Sequence, residues 1–106
     1  MPSRLTLAAA SFLLGAVVAA QAATITVAQR GLQMSKSSLD IARGDRVIFN
    51  NDDDVIHNIH IFGPDSDKDL GLQKPGKPLS YVFDKSGAFR VRCNIHPSIK
   101  MAVNVK

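Results

Sequence analysis

The sequence predicts an all-β domain, a β-sandwich of about seven to eight short strands, on two observations. From Thr24 onward, apolar residues alternate with polar ones more often than they recur at helical spacing. Between the alternating runs stand clusters of Gly, Pro, Asn and Asp at short intervals, the punctuation of a chain that turns often.

Residues 1–22 stand apart from this pattern. Arg4 precedes an uncharged run from Leu5 to Ala20, followed by Ala20-Gln21-Ala22. A positive start, an apolar stretch too short to span a bilayer comfortably and a small-x-small site describe a cleavable secretory signal peptide. Residues 23–106 are then a single exported, periplasmic domain with no membrane attachment after cleavage, and its core must be compact.

The first strand is read at Thr24 to Val27, where Ile25 and Val27 alternate with threonines. Leu39 and Ile41 mark the second, Arg46 to Asn50 the third and Val55 to Phe62 the fourth. Leu79 to Phe83 and Ala88 to Cys93 follow, and Ile99, Met101, Val103 and Val105 alternate to the end. Turn chemistry separates them at Gly44-Asp45, Asn50 to Asp54, Lys74 to Pro78 and Asp84 to Gly87. The stretch from Gly63 to Pro78 reads as an irregular surface loop with one helical turn around Asp67 to Leu72.

Composition excludes several functions. Residues 23–106 carry twelve Lys and Arg against nine Asp and no Glu, a net charge of +3. Acidic and basic residues are interleaved, as in Asp65, Asp67, Lys68 and Asp69, so no nucleic-acid footprint is present. There is no Gly-x-Ser-x-Gly elbow. Asp52-Asp53-Asp54 lacks the alternating ligand spacing of a calcium loop. The chain is not expected to be an enzyme.

The sole cysteine, Cys93, stands in Cys93-Asn94-Ile95-His96-Pro97. An exported thiol without a partner in its own chain is reactive, intermolecular or metal-bound; otherwise a free cysteine is commonly an inert core residue. Alternation puts Phe89, Val91 and Cys93 on the inward face of their strand and Arg90 and Arg92 on the other. Pro97 blocks further pairing, so the chain turns and brings His96 back toward the sulfur. In the fourth strand, His57, Ile59 and Ile61 share one face and Asn58, His60 and Phe62 the other. Only one of the two histidines can ligate; His57, at the strand's start beside the Asp-rich turn, is the candidate, and His60 a surface or supporting group.

A soft thiolate with two imidazoles suits copper in both oxidation states, whereas structural zinc takes four firm ligands. The order Gly44-Asp45-Arg46-Val47-Ile48-Phe49-Asn50-Asn51, His57-Asn58 and Gly87 to Pro97 resembles the small blue-copper cupredoxins of the plastocyanin, pseudoazurin and amicyanin type. The resemblance implies a cupredoxin-like Greek-key β-sandwich. It implies one copper ion held by His57, Cys93 and His96, and a hydrogen bond from Asn58 across to the cysteine loop. The weak axial methionine of such proteins lies three or five residues beyond the second histidine. Here those positions are Ile99 and Met101; Met101 is the axial candidate, and Ile99 takes that place if the loop is short.

The function implied is one-electron transfer between transient redox partners by a monomeric carrier. Its rival is copper binding or tolerance, in which the same fold sequesters or hands on the ion. Pro97, Ile95 and Pro64 could form an apolar docking patch. Lys68, Lys74, Lys77 and Lys100 would favour an acidic partner if they cluster.

Overall fold

A computed structural model of the chain describes residues 21–106. The predicted signal peptide falls almost wholly outside the described residues. Eight strands follow in order: β1 (Thr24–Gln29), β2 (Ser38–Ile41), β3 (Asp45–Asn51), β4 (His57–Gly63), β5 (Ser66–Gln73), β6 (Pro78–Phe83), β7 (Gly87–Arg92) and β8 (Lys100–Val105). Among the described residues there is no helix.

The strands form two sheets, one of order β1-β3-β6 and one of order β2-β8-β7-β4-β5. The pairs β1·β3 and β2·β8 are parallel and the others antiparallel. Between the sheets lies the core that alternation predicts. Val27, Val47, Phe49 and Phe83 face it from the smaller sheet, and Ile59, Ile61, Phe89, Val91 and Val103 from the larger, all buried. Phe83 and Phe89 meet edge-to-face across the layers with ring centroids 5.4 Å apart, a favoured aromatic geometry. Gly63 is required here, because a Cβ at that position would overlap the Phe89 ring.

One expectation is corrected. The loop predicted from Gly63 to Pro78 is mostly strand β5, paired antiparallel with β4 from His57↔Gln73 to Gly63↔Ser66. Pro64 and Asp65 make the tight hairpin turn, Asp65 adopting φ 54, which Asp tolerates better than most residues. β5 lacks a clean apolar alternation because it is an edge strand, largely solvent-facing on both sides.

Asp45 pins the entry of the smaller sheet. Its carboxylate accepts the Ala23 N–H at 2.8 Å and the Ala42 N–H at 2.9 Å, joining the start of β1 to the β2–β3 turn. These two bonds outweigh desolvation and hold its pKa below the ordinary carboxylate value. A depressed folded-state pKa contributes stability above the unfolded value that disappears as pH falls through the folded one. Asp45→Asn is therefore expected to lower the melting temperature at neutral pH. That deficit should shrink progressively below about pH 4, as melting curves of both proteins across pH would reveal.

Candidate metal centre

His57, Cys93 and His96 converge at one end of the sandwich, with Nδ1, Sγ and Nδ1 all within 4.8 Å of one another. His57 opens β4 and is fully buried; Cys93 directly follows β7 and is 2% exposed. His96 lies in the loop between β7 and β8 and is half-buried. That loop is closed by Cys93 N–H to Ile99 O at 3.0 Å and Ile99 N–H to His96 O at 2.9 Å. His60, three residues on from His57, points to the opposite face, where it bonds Asp67 and Asn94, and among the described residues it joins no metal-sized group.

The donor atoms are prepared for a cation. The His57 and His96 Nδ1 atoms face each other at 3.2 Å. The Cys93 sulfur stands 4.0 Å from His96 Nδ1. Two ring nitrogens brought so close need a shared proton or a metal ion between them, because facing lone pairs repel. The other ring nitrogen of His57, Nε2, is 2.8 Å from the Asp53 carboxylate. Donating its proton there leaves Nδ1 free to ligate. The sulfur accepts the Asn58 backbone N–H at 3.2 Å, which fixes its position at the end of β7.

Asp53 was missed as a functional candidate; in the sequence it is one carboxylate of a turn. Besides His57 it accepts N–H groups from Gly31 at 2.6 Å and Leu32 at 3.1 Å. Burial pushes its pKa up, but the His57 bond and the two amides outweigh that and hold it below the usual carboxylate range. Leu32, with φ 58, offers its carbonyl to the Ser98 hydroxyl at 2.7 Å. One residue, through its N–H and its carbonyl, thus touches both the carboxylate behind His57 and the loop that carries His96.

Asn58 makes the crossing bond that the resemblance implies, its Oδ1 accepting the Asn94 N–H at 3.0 Å. The register of β8 against β7 sets the levels of the two axial positions, Ile99 and Met101. Across β7 and β8, Val91 pairs with Met101 and Arg92 with Lys100, and the Cys93–Ile99 bond continues the ladder. Opposed residues share a face, so buried Ile99 is level with Cys93. Met101 lies one same-face step deeper, ~7 Å along the strand, within the apolar core. The short loop, with the histidine three residues after the cysteine and the ladder resuming three residues later, thus sets Ile99 opposite Cys93 and Met101 one pair further along β8.

Ile95, Ile56, Val55 and Leu32 are exposed apolar residues at this end, all of them 40–47% accessible. Pro64 does not join them: it follows β4 at the end opposite His57 and approaches Gly87 at the start of β7. The four lysines do not cluster either. Lys68 is on β5 and Lys100 on β8, with β4 and β7 between them, while Lys74 and Lys77 lie at the β5–β6 turn.

No protein-family model matches this sequence, and no curated protein matches it. Solved structures do. A copper(I) form of an amicyanin variant superimposes with a TM-score of 0.71 at 24% identity, covering 86% of this chain and 88% of its own. A purple cupredoxin from Nitrosopumilus maritimus gives 0.68 at 22% identity, covering 77% of this chain and 99% of its own. A copper-containing nitrite reductase from Thermus scotoductus gives 0.71 at 24% identity over 86% of this chain, which spans only 24% of that protein. The chain therefore has the cupredoxin fold, and at one end of it a His-Cys-His group that could bind one copper ion.

Proposed function

We propose that this chain is an exported, periplasmic type 1 copper protein that carries one electron at a time between transient protein partners. Its domain comprises residues 23–106, and His57, Cys93 and His96 are the ligands. The observation that carries this reading is the convergence of one buried thiol and two Nδ1 atoms within a single ligand sphere. Copper bound there would supply a one-electron couple. The chain's own part is to hold the donors still, through Asp53 on His57, the Asn58 amide on the sulfur and the closed 93–99 loop, so that little rearranges when charge changes. Half-buried His96 with Ile95 beside it offers a small apolar contact suited to brief encounters. Absorption and electron-paramagnetic-resonance spectra of the copper-loaded chain test the reading. An intense visible thiolate-to-copper band with one ion per chain is expected; a weak spectrum without it would overturn the assignment.

Copper sequestration is the second reading, favoured by the aliphatic side chain of Ile99 where a thioether would otherwise sit. Fast reversible cycling supports the carrier, whereas slow redox with ready loss of the ion supports sequestration. Because Met101 is core, Met101→Leu is expected to leave spectrum and potential unchanged and to cost under about 1.5 kcal/mol of stability. Ile99→Met should instead alter both spectrum and potential by bringing a sulfur to the level of Cys93. Voltammetry on the two variants separates these outcomes.

A further inference from the structure

We propose that the outer face of β7 and β8 is a docking groove for an acidic segment of a partner protein, a basic surface that adjoins the apolar rim around His96 but is centred on Arg90, Arg92 and Lys100. The proposal rests on the carrier reading for its purpose, but not for its geometry. Two adjoining hollows carry it, one of ≈470 Å³ along β7 and β8 and one of ≈440 Å³ that reaches Cys93, Asn94 and Pro97. Arg92 and Lys100 line both, and Arg90 lines the first.

The charges there are unspent. Arg92 and Lys100 stand directly opposite each other across the two strands, and like charges so placed destabilise a sheet. Among the described residues neither they nor Arg90 has a carboxylate within ion-pairing distance. The same face does hold three carboxylates, Asp40 on β2 and Asp67 and Asp69 on β5, but each is engaged, Asp40 accepting from the Asn104 side chain at 3.1 Å. Asp67 accepts from His60, and Asp69 from Asn58 and the Gly71 N–H. The fold thus keeps three cations beside one another with no internal counter-charge, an arrangement an external anion would relieve.

The groove is also shaped and connected. The Arg92 guanidinium lies over the Phe62 ring, 4.8 Å from its centre, and His60 stacks on the same ring at 4.0 Å. His60 in turn bonds the Asn94 side chain at 2.8 Å. A rigid wall therefore runs from the basic residues to the residue after Cys93, and Arg92 is joined to Cys93 by a single peptide bond. An elongated acidic segment fits this open sheet face better than a single small anion, since the cations are spread along two strands rather than gathered in an enclosed pocket.

The test is a titration of the full ¹⁵N-labelled chain, with and without copper(I), with a hexa-aspartate peptide, followed by amide shifts. Salt-sensitive shifts are expected at Arg90 to Asn94 and at Lys100 to Ala102 in both forms. Arg92→Gln with Lys100→Gln should weaken binding roughly fivefold, a size two exposed charge pairs can supply. Lys100→Gln alone should melt no lower than the natural chain, because the repulsive pair is gone while the Arg92–Phe62 contact is kept. Lys85→Gln, in the β6–β7 turn, should bind as before. Shifts centred on Lys74 and Lys77, undiminished binding by the double variant, or equal shifts with matched inorganic phosphate would each overturn the proposal. Failure of the copper reading shows separately, as no uptake of copper(I), and leaves the peptide shifts in place.

Discussion

Replacing Cys93 with serine is expected to abolish the intense visible absorption of the copper-loaded chain while leaving the fold intact. In the proposed ligand set the thiolate is the one soft member, so the charge-transfer band depends on that sulfur alone. The side chain is 2% exposed and accepts the Asn58 N–H. A serine hydroxyl can accept the same bond from nearly the same place, so the metal-free variant should lose only about 1–2 kcal/mol of stability. Colour and fold are thereby separated: melting without metal reports the second, absorption with copper the first. His60→Ala supplies the control. Its ring bonds Asp67 and Asn94 on the outer face of the sheet, so its loss should leave the band nearly intact. A blue His60→Ala with a colourless Cys93→Ser identifies the ligands; the reverse pattern would mean the wrong histidine.

Much of this was legible in the sequence because it depends on period and local turning. Phe89, Val91 and Cys93 alternate inward along one strand, and His57, Ile59 and Ile61 along another, so the facing of the ligands follows from the pleat. Pro97 announces the turn that returns His96 to the sulfur. What was not legible depends on partners distant in the chain. β5 carries alternating charges rather than an apolar stripe, since an edge strand need not bury a face, and it read as loop. The choice between Ile99 and Met101 turns on the register of β8 against β7, to which alternation is blind because both residues lie on the same face. Asp53 and Leu32 escaped for a related reason. An Asp in a run of three reads as turn solvation, and only the folded chain reveals that a loop twenty residues earlier closes over it.

That closure leads to the second large effect. Asp53→Ala is expected to weaken copper binding by roughly 10–100-fold, the usual cost of losing the group behind a ligating imidazole, and to raise the reduction potential. Two consequences combine. Without the carboxylate at 2.8 Å, nothing fixes which ring nitrogen of His57 carries the proton, so part of the population presents the wrong tautomer to the metal. The site also loses a nearby negative charge, which stabilises the more positive, oxidised ion more than the reduced one. A purely structural role would not produce the second effect, so the potential is the deciding measurement. Ser98→Ala provides the comparison. It removes only the hydroxyl bond to the Leu32 carbonyl and leaves the carboxylate in place, so it should loosen the His96 loop without the rise in potential. If Asp53→Ala and Ser98→Ala prove indistinguishable by voltammetry, Asp53 acts only as a brace for the Gly31–Leu32 turn. If only the first moves the potential, the carboxylate tunes the metal through His57. Leu32 strengthens the case for the site as a built unit: a non-glycine residue held at φ 58 is strained by about 1–3 kcal/mol, and the bonds at its N–H, to the Asp53 carboxylate, and at its carbonyl, from Ser98, are what keep it there.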